Sequence, residues 1–222
     1  MNIRKILAGV AVAAIPFVGN AASRSFSEPF DPTTVPFGPL TVSLTQFNPG
    51  WGTLSGVTLG IEATLQANIS AENNTAKPVN ATAWIVGDVG ALGPSGLAPV
   101  ISFGSIVAGP VPLAASNGTA GSGPDFTTFG SPLQATGSNS ASTVNPLDFT
   151  PFVGGSTFDV NYAGDGGWAV FGVSDATVNV SDFKGWGTVT VTYDYMVPEP
   201  SQFAVIAGLG LVLFAGARRF RG

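Results

Sequence analysis

The side chains in this sequence that could do chemistry are almost all carboxylates. There is no histidine and no cysteine. That removes the commonest general base, the commonest transition-metal ligand, the thiol nucleophile and every disulfide. Seven aspartates, Asp31, Asp88, Asp125, Asp148, Asp165, Asp175 and Asp182, lie in or near turn-forming sequence. A pair about 5–9 Å apart across a cleft would be the minimum for glycoside hydrolysis. The competing reading is that each bonds its own backbone and keeps a turn soluble. No nucleophile motif stands beside them, so no catalytic residue is assigned and the chain is expected not to be an enzyme. No metal ligand is assigned and no cofactor is expected. Calcium alone stays open, because it accepts carboxylate and carbonyl oxygens, and Asp165-Gly166-Gly167 is one loop that could offer them.

The aromatic residues suggest a different chemistry, since sugar faces stack on exposed indoles. Trp51 and Trp186 each stand between two glycines, which predicts turns and makes them the candidates for ligand contact. Packing over the end of a domain is the competing role. Trp84 and Trp168 have apolar neighbours and read as core.

These residues must be positioned by strands. Val57 to Ala71 is apolar at every second position over 15 residues, with Thr58 to Ser70 polar between them. This describes a strand with one dry and one wet face. It is long enough that a bend or bulge near Gly60 or Ala63 is expected, where it could pass between sheets. Val79 to Val86 alternates again and is expected to close a hairpin around Asn73-Asn74. Further strands are predicted at 40–47, 100–107, 158–162, 168–173, 176–180 and 189–195. Ala163 to Gly167 and Gly185-Trp186-Gly187 are predicted turns, Ala114 to Pro124 an exposed loop, and 134–145 a polar stretch with a strand at best. The fold class is therefore all-β, an antiparallel β-sandwich (jelly-roll-like).

The two ends read differently. Residues 1–22 have Arg4 and Lys5, an apolar run from Ile6 to Val18, and Gly19-Asn20-Ala21-Ala22 for cleavage, the pattern of a secretory signal peptide. An uncleaved anchor is the competing reading, but 13 apolar residues are few for a span. Residues 197–222 form a third segment. Val197, Pro198, Glu199 and Pro200 break the fold, 203–217 carries no charge, and Arg218, Arg219 and Arg221 close it. A hydrophobic helix is expected over 203–217, about 22 Å long against a hydrocarbon core of about 30 Å. The body, 23–196, keeps Arg24, Lys77 and Lys184 against every acidic residue except Glu199, a balance of about −9. That charge repels nucleic acid.

The tail resembles the PEP-CTERM sorting signal of Gram-negative bacteria in its Pro-Glu-Pro motif, apolar segment and arginine cluster. The resemblance implies recognition by an exosortase, transient residence in the inner membrane through 203–217, and release or attachment at the cell surface or in extracellular polymer. Gln46 to Leu59, with Phe47-Asn48-Pro49 and Gly52-Thr53-Leu54, resembles the opening of the choice-of-anchor E domain, and Gly187 to Tyr195 its closing strand. Asn48 stands where that family often has Asp. This likeness implies a fold and a location rather than an activity. The expected protein is thus an exported structural or adhesive component with polysaccharide as its partner. A carbohydrate-binding module using Trp51 and Trp186 is the alternative.

Overall fold

In a computed structural model of the chain, residues 19–198 are described. The apolar run 6–18 of the expected signal peptide, Glu199, Pro200, the segment 203–217 and Arg218, Arg219 and Arg221 lie outside the described residues. Ser23–Tyr195 forms one compact unit. The described remainder, 19–22 and 196–198, carries the outer ends of the first and last strands.

Eight strands make the unit: β1 (Asn20–Thr34), β2 (Phe37–Thr45), β3 (Thr53–Asn73), β4 (Val79–Leu92), β5 (Val100–Leu113), β6 (Phe126–Thr143), β7 (Thr157–Phe171) and β8 (Ala176–Val197). They form two antiparallel four-stranded sheets, sheet A in the order β1-β8-β3-β6 and sheet B in the order β2-β7-β4-β5. Every connection except β4–β5 carries the chain from one sheet to the other. The expected all-β sandwich is what the chain forms.

Period-2 patterning decides which face is dry. All eight apolar positions of β3 from Val57 to Ala71 are buried, as are Ala81, Ala83, Ile85, Val89 and Ala91 of β4 and Val189, Val191, Tyr193 and Tyr195 of β8. At one end of the core Phe30, Phe37 and Tyr162 cluster with ring centroids 4.5–6.5 Å apart. Elsewhere Tyr193 donates from its hydroxyl to the Thr45 carbonyl at 2.8 Å. Burial pushes that phenol well above the usual tyrosine range, partly offset by the Phe47 backbone.

Proline sorts the strands. β1 holds Pro29 and Pro32, β2 Pro39, β5 Pro110 and Pro112, and β6 Pro132, while β3, β4, β7 and β8 hold none. The four strands with proline are the four sheet edges. A proline cannot donate to a ladder, so it is tolerated where one side is unpaired and hinders pairing with other chains there.

Several expectations are corrected. β3 has no bulge near Gly60 or Ala63: its register with β6 is unbroken from Val57 to Ala67. The irregularity is in the partner, which takes four steps between Leu133 and Phe129 where β3 takes two. Gly130 at φ 60° and Pro132 lie in those steps. β3 and β4 are not a hairpin but lie in different sheets. Buried Asn73 shapes the crossing. Its Nδ2 donates to the carbonyls of Lys77 and Ala114, and its Oδ1 accepts from the Thr75 amide and hydroxyl.

The stretch 134–145 is mostly strand, the second half of β6. Residues 163–167 and 185–187 are not turns but the interiors of β7 and β8. Their glycines serve close approach. A Cβ on Gly164 would overlap the Phe37 ring, and one on Gly187 would overlap the Glu62 carbonyl.

Candidate functional site

The outer face of sheet B is where chemistry-bearing side chains gather. Along β4 the even-numbered residues point away from the core, and neighbouring strands extend each into a cross-strand row. Trp84 pairs with Val107 of β5 and Ala169 of β7; Asp88 with Ser102 and Asp165; Gly90 with Val100 and Ala163; Leu92 with Asn161. Rows two residues apart lie about 7 Å from one another. The face therefore reads, in order, aromatic, acidic, then apolar.

At the aromatic end Trp84 stacks on Phe171, centroids 5.8 Å apart and rings 9° from parallel. Phe171 is 52% exposed; Trp168 of β7 is 45% exposed but stands opposite inward-facing Ile85, on the other face of the sheet. The expectation that Trp84 and Trp168 are core is thus corrected. Ala83 and Ile85 take the inward positions beside Trp84, and Trp168, opposite Ile85, is exposed on the part of β7 beyond Gly164, the last residue paired with β2.

Two open pockets meet in the middle. One of about 400 Å³ is lined by Val86, Asp88, Ser102, Asp165 and a glycine floor at 87, 104, 166 and 167. The other, about 710 Å³ and mostly apolar, is lined by Pro36, Pro39, Leu92, Val100 and Ala163. Asp88 and Asp165 border both. Two of these glycines lack a side chain on the other face: a Cβ on Gly87 or Gly166 would point into the core, 2.9 Å from Leu65 Cδ2 and 3.0 Å from the Phe183 ring, whereas one on Gly104 or Gly167 would meet nothing within 4 Å. Asp165 Oδ1 accepts from the Gly166 amide at 2.8 Å. The two carboxylates are direct cross-strand neighbours, so they stand side by side on one floor. A glycosidase pair must instead flank the scissile bond from two sides.

The tryptophans singled out from sequence are elsewhere. Trp51 does sit in a turn, the 3₁₀ segment Pro49–Trp51, capped by Asn48 Oδ1 accepting from the Gly50 amide. Aspartate would cap the turn in the same way. Phe26 stacks on the indole at 5.8 Å, Phe47 meets it edge-on at 5.4 Å, and the Arg24 guanidinium lies 4.2 Å from the ring centre. Its π surface is engaged within the chain. Trp186 is half-buried inside β8, not in a turn, and lines a separate groove with Asp31, Pro32 and Glu62. Trp51 is not among that groove's lining residues. Of the expected sorting motif, Val197 ends β8 and Pro198 follows it.

Three of the other aspartates hold local structure. Asp148 accepts from the Thr143 hydroxyl, Asp175 from the Asn74 amide, and Asp182 from Asn68 and Lys184. Asp165-Gly166-Gly167, offered as a calcium loop, is extended strand. Sequence reasoning missed the meeting of Asp88, Asp165 and Trp84, which depends on the pairing of β4 with β7.

Comparison with known proteins adds little. No protein-family model and no curated protein matches the chain. Among solved structures, a mud crab tombus-like virus structure is 11% identical, with 94% of each chain covered and a TM-score of 0.22. An infectious bursal disease virus structure (Gx strain) is 11% identical with a TM-score of 0.15, covering 84% of this chain and 42% of the other. The chain thus spans well under two thirds of the length of that second protein. Similarity this low bears on neither fold family nor function.

Proposed function

We propose that this chain is an exported, non-enzymatic surface or extracellular-matrix protein whose jelly-roll body is delivered by the segments at its two ends. The jelly-roll reading comes from the strand order, in which the chain winds back and forth between two four-stranded sheets. In this reading the secretion machinery removes 1–22, the inner membrane holds 203–217 transiently, and an exosortase cuts near Pro198–Pro200. The observation that carries it is one of boundaries. The compact unit Ser23–Tyr195 starts just after the expected leader cleavage, and its last strand runs to Val197, at the first residue of Val-Pro-Glu-Pro. Cutting at both places would leave all eight strands, shortening β1 by its first two or three residues. The lack of histidine and cysteine, and carboxylates that share one side of a groove, support a role without catalysis.

The test is the intact mass of the protein from membrane, surface and medium fractions of its native host. Loss of 1–21 or 1–22 together with the tail is the expected result. A retained tail in the membrane fraction would overturn processing, and a retained leader would overturn signal-peptide cleavage.

A second reading, glycan binding, is favoured by the outer face of sheet B rather than by Trp51 and Trp186. The stacked Trp84–Phe171 pair offers an apolar platform about 13 Å from Asp88, whose row offers oxygen acceptors to hydroxyls. Trp84→Ala is expected to lower retention on the host's exopolysaccharide, while the Trp51→Ala, Trp186→Ala double variant retains it. The reverse pattern would return the site to the two glycine-flanked tryptophans.

A further inference from the structure

Sheet B has an open edge on one of its inner strands. β2 covers β7 from Thr157 to Gly164 and stops there, because the chain enters β2 from sheet A only at Phe37, just after the Val35 amide donates to the Phe183 carbonyl. β7 continues to Phe171, paired with β4 on its other side throughout. Among the described residues, no strand and no backbone hydrogen bond meets Asp165–Phe171 on the side that β2 leaves. That is about 23 Å of uncovered edge.

In an antiparallel strand, alternate residues turn their backbone groups to opposite neighbours. The Tyr162 carbonyl is directed at β2 and the Asp165 carbonyl at β4, 2.7 and 2.6 Å from where side chains on Gly38 and Gly87 would begin. Even-numbered residues therefore present N–H and C=O to the β2 side. On the uncovered stretch these are Gly166, Trp168 and Val170. The Gly166 amide is satisfied by a substitute, Asp165 Oδ1.

Two features mark this edge as a pairing site. The four end strands all carry proline, whereas Asp165–Phe171 has no proline, lysine or arginine; an edge without such guards recruits strands. The inward-facing side chains are also left uncovered. Trp168, opposite buried Ile85, is largely in solvent, and Val170, opposite buried Ala83, is half-buried.

The stretch fits itself. Its midpoint is Trp168, which has the parity for bonding on the free side. A second copy laid antiparallel about that point sets Trp168 against Trp168, Gly166 against Val170 and Asp165 against Phe171. No like charges oppose each other, and each valine meets a glycine. The fold limits the fit at both ends. Gly164 is taken by Phe37, and the second copy's strand stops opposite it, where the chain turns at Gly172 with φ 87°.

We propose that two copies of this chain associate through Asp165–Phe171, joining their B sheets across a two-fold axis at Trp168. Trp168 and Val170 are buried by the pairing. The test reads association and register separately. In sedimentation velocity the full wild-type chain is expected to pass from monomer to dimer as concentration rises, with tryptophan emission moving to the blue. Trp168→Lys sets two ammonium groups on the axis and is expected to abolish the dimer. Because the sequence has no cysteine, single cysteines report the register. A mixture of Gly167→Cys and Ala169→Cys chains should form disulfide-linked dimers about tenfold faster than either variant alone, since 167 faces 169 of the other copy at about 4.5 Å between Cα atoms while identical positions lie diagonally at about 7 Å or more. A side chain at 167 has room, with nothing within 4 Å of its Cβ.

Wild type that stays monomeric overturns the proposal and leaves the edge to a strand of another protein. A dimer that Trp168→Lys leaves intact also overturns it, because association would then run through another surface, such as 203–217. Cross-linking no faster in the mixture does the same. If Trp168→Lys does not fold, the cross-linking comparison decides.

Discussion

Two glycines on the β3–β8 side of sheet A should respond to the same mutation with opposite signs. Gly187 lies inside β8 against β3. A methyl group there would overlap the Glu62 carbonyl and lie 2.8 Å from Ala63 Cα and 2.9 Å from the Phe30 ring. Two of these obstacles are backbone of the adjoining strand and cannot rotate away. Overpacking of this kind costs about 1–3 kcal/mol, and rigid neighbours place it toward the top. Replacing glycine within a strand returns about 0.5–1 kcal/mol, so Gly187→Ala should destabilise by about 2 kcal/mol. Gly60 is the control. Its nearest neighbours, the carbonyls of Thr190 and Asn139, lie 3.8 and 3.9 Å from an added Cβ. Gly60→Ala should therefore stabilise, by about 0.4–1 kcal/mol. In a body of this size about 1 kcal/mol moves Tm by 2–4 °C, so the two variants should melt on either side of wild type. Urea unfolding of both, with m compared, is the assay. Equal stabilities, or a Gly187→Ala protein no weaker than wild type, would refute the close approach of β8 to β3 and restore 185–187 as a turn.

Other consequences can be measured on the same material. Buried Tyr193 stays protonated while the unfolded chain ionises above about pH 10. Stability is thus complete below that pH and lost as pH rises. Tyr193→Phe should flatten this loss in urea midpoints from pH 8 to 11, at a cost near neutrality of about 1 kcal/mol for the bond to Thr45. Phe129, 1% exposed beneath β6, should cost about 3–5 kcal/mol on truncation to alanine; a loss under about 1 kcal/mol in chemical denaturation would mean that this part of the core is loose. Asp88→Asn removes a like charge directly opposite Asp165, so the melting temperature should rise, and rise less in 1 M salt. A fall at low salt would mean that the pair does not repel.

The sandwich was legible where burial imposes a period. β3 announces itself because one face is dry along its length, and the final strand for the same reason. Glycine misled. Ala163–Gly167 and Gly185–Gly187 carry the composition of turns, but their glycines admit Phe37, Phe30 and neighbouring backbone, a reason that exists only once strands are packed. The edges were legible and went unread, since proline marks all four edge strands. The candidate site was not legible. Asp88 and Asp165 meet because two strands 77 residues apart at that row pair in one register, and local patterning does not encode partner choice. Asp125 looked like any other turn aspartate, because its burial depends on a loop folding over it.

The placement of β8 has a mechanical consequence. The last strand lies between β1 and β3, hydrogen-bonded on both sides, with Ser25 and Ser27 of β1 also joined to Thr192 and Thr190 through their hydroxyls. Traction on the carboxyl end is therefore transmitted along a strand clamped by two ladders. Bonds perpendicular to the pull are sheared together instead of being peeled one at a time, as they would be at an edge. A chain held by that end yields only when both ladders slip.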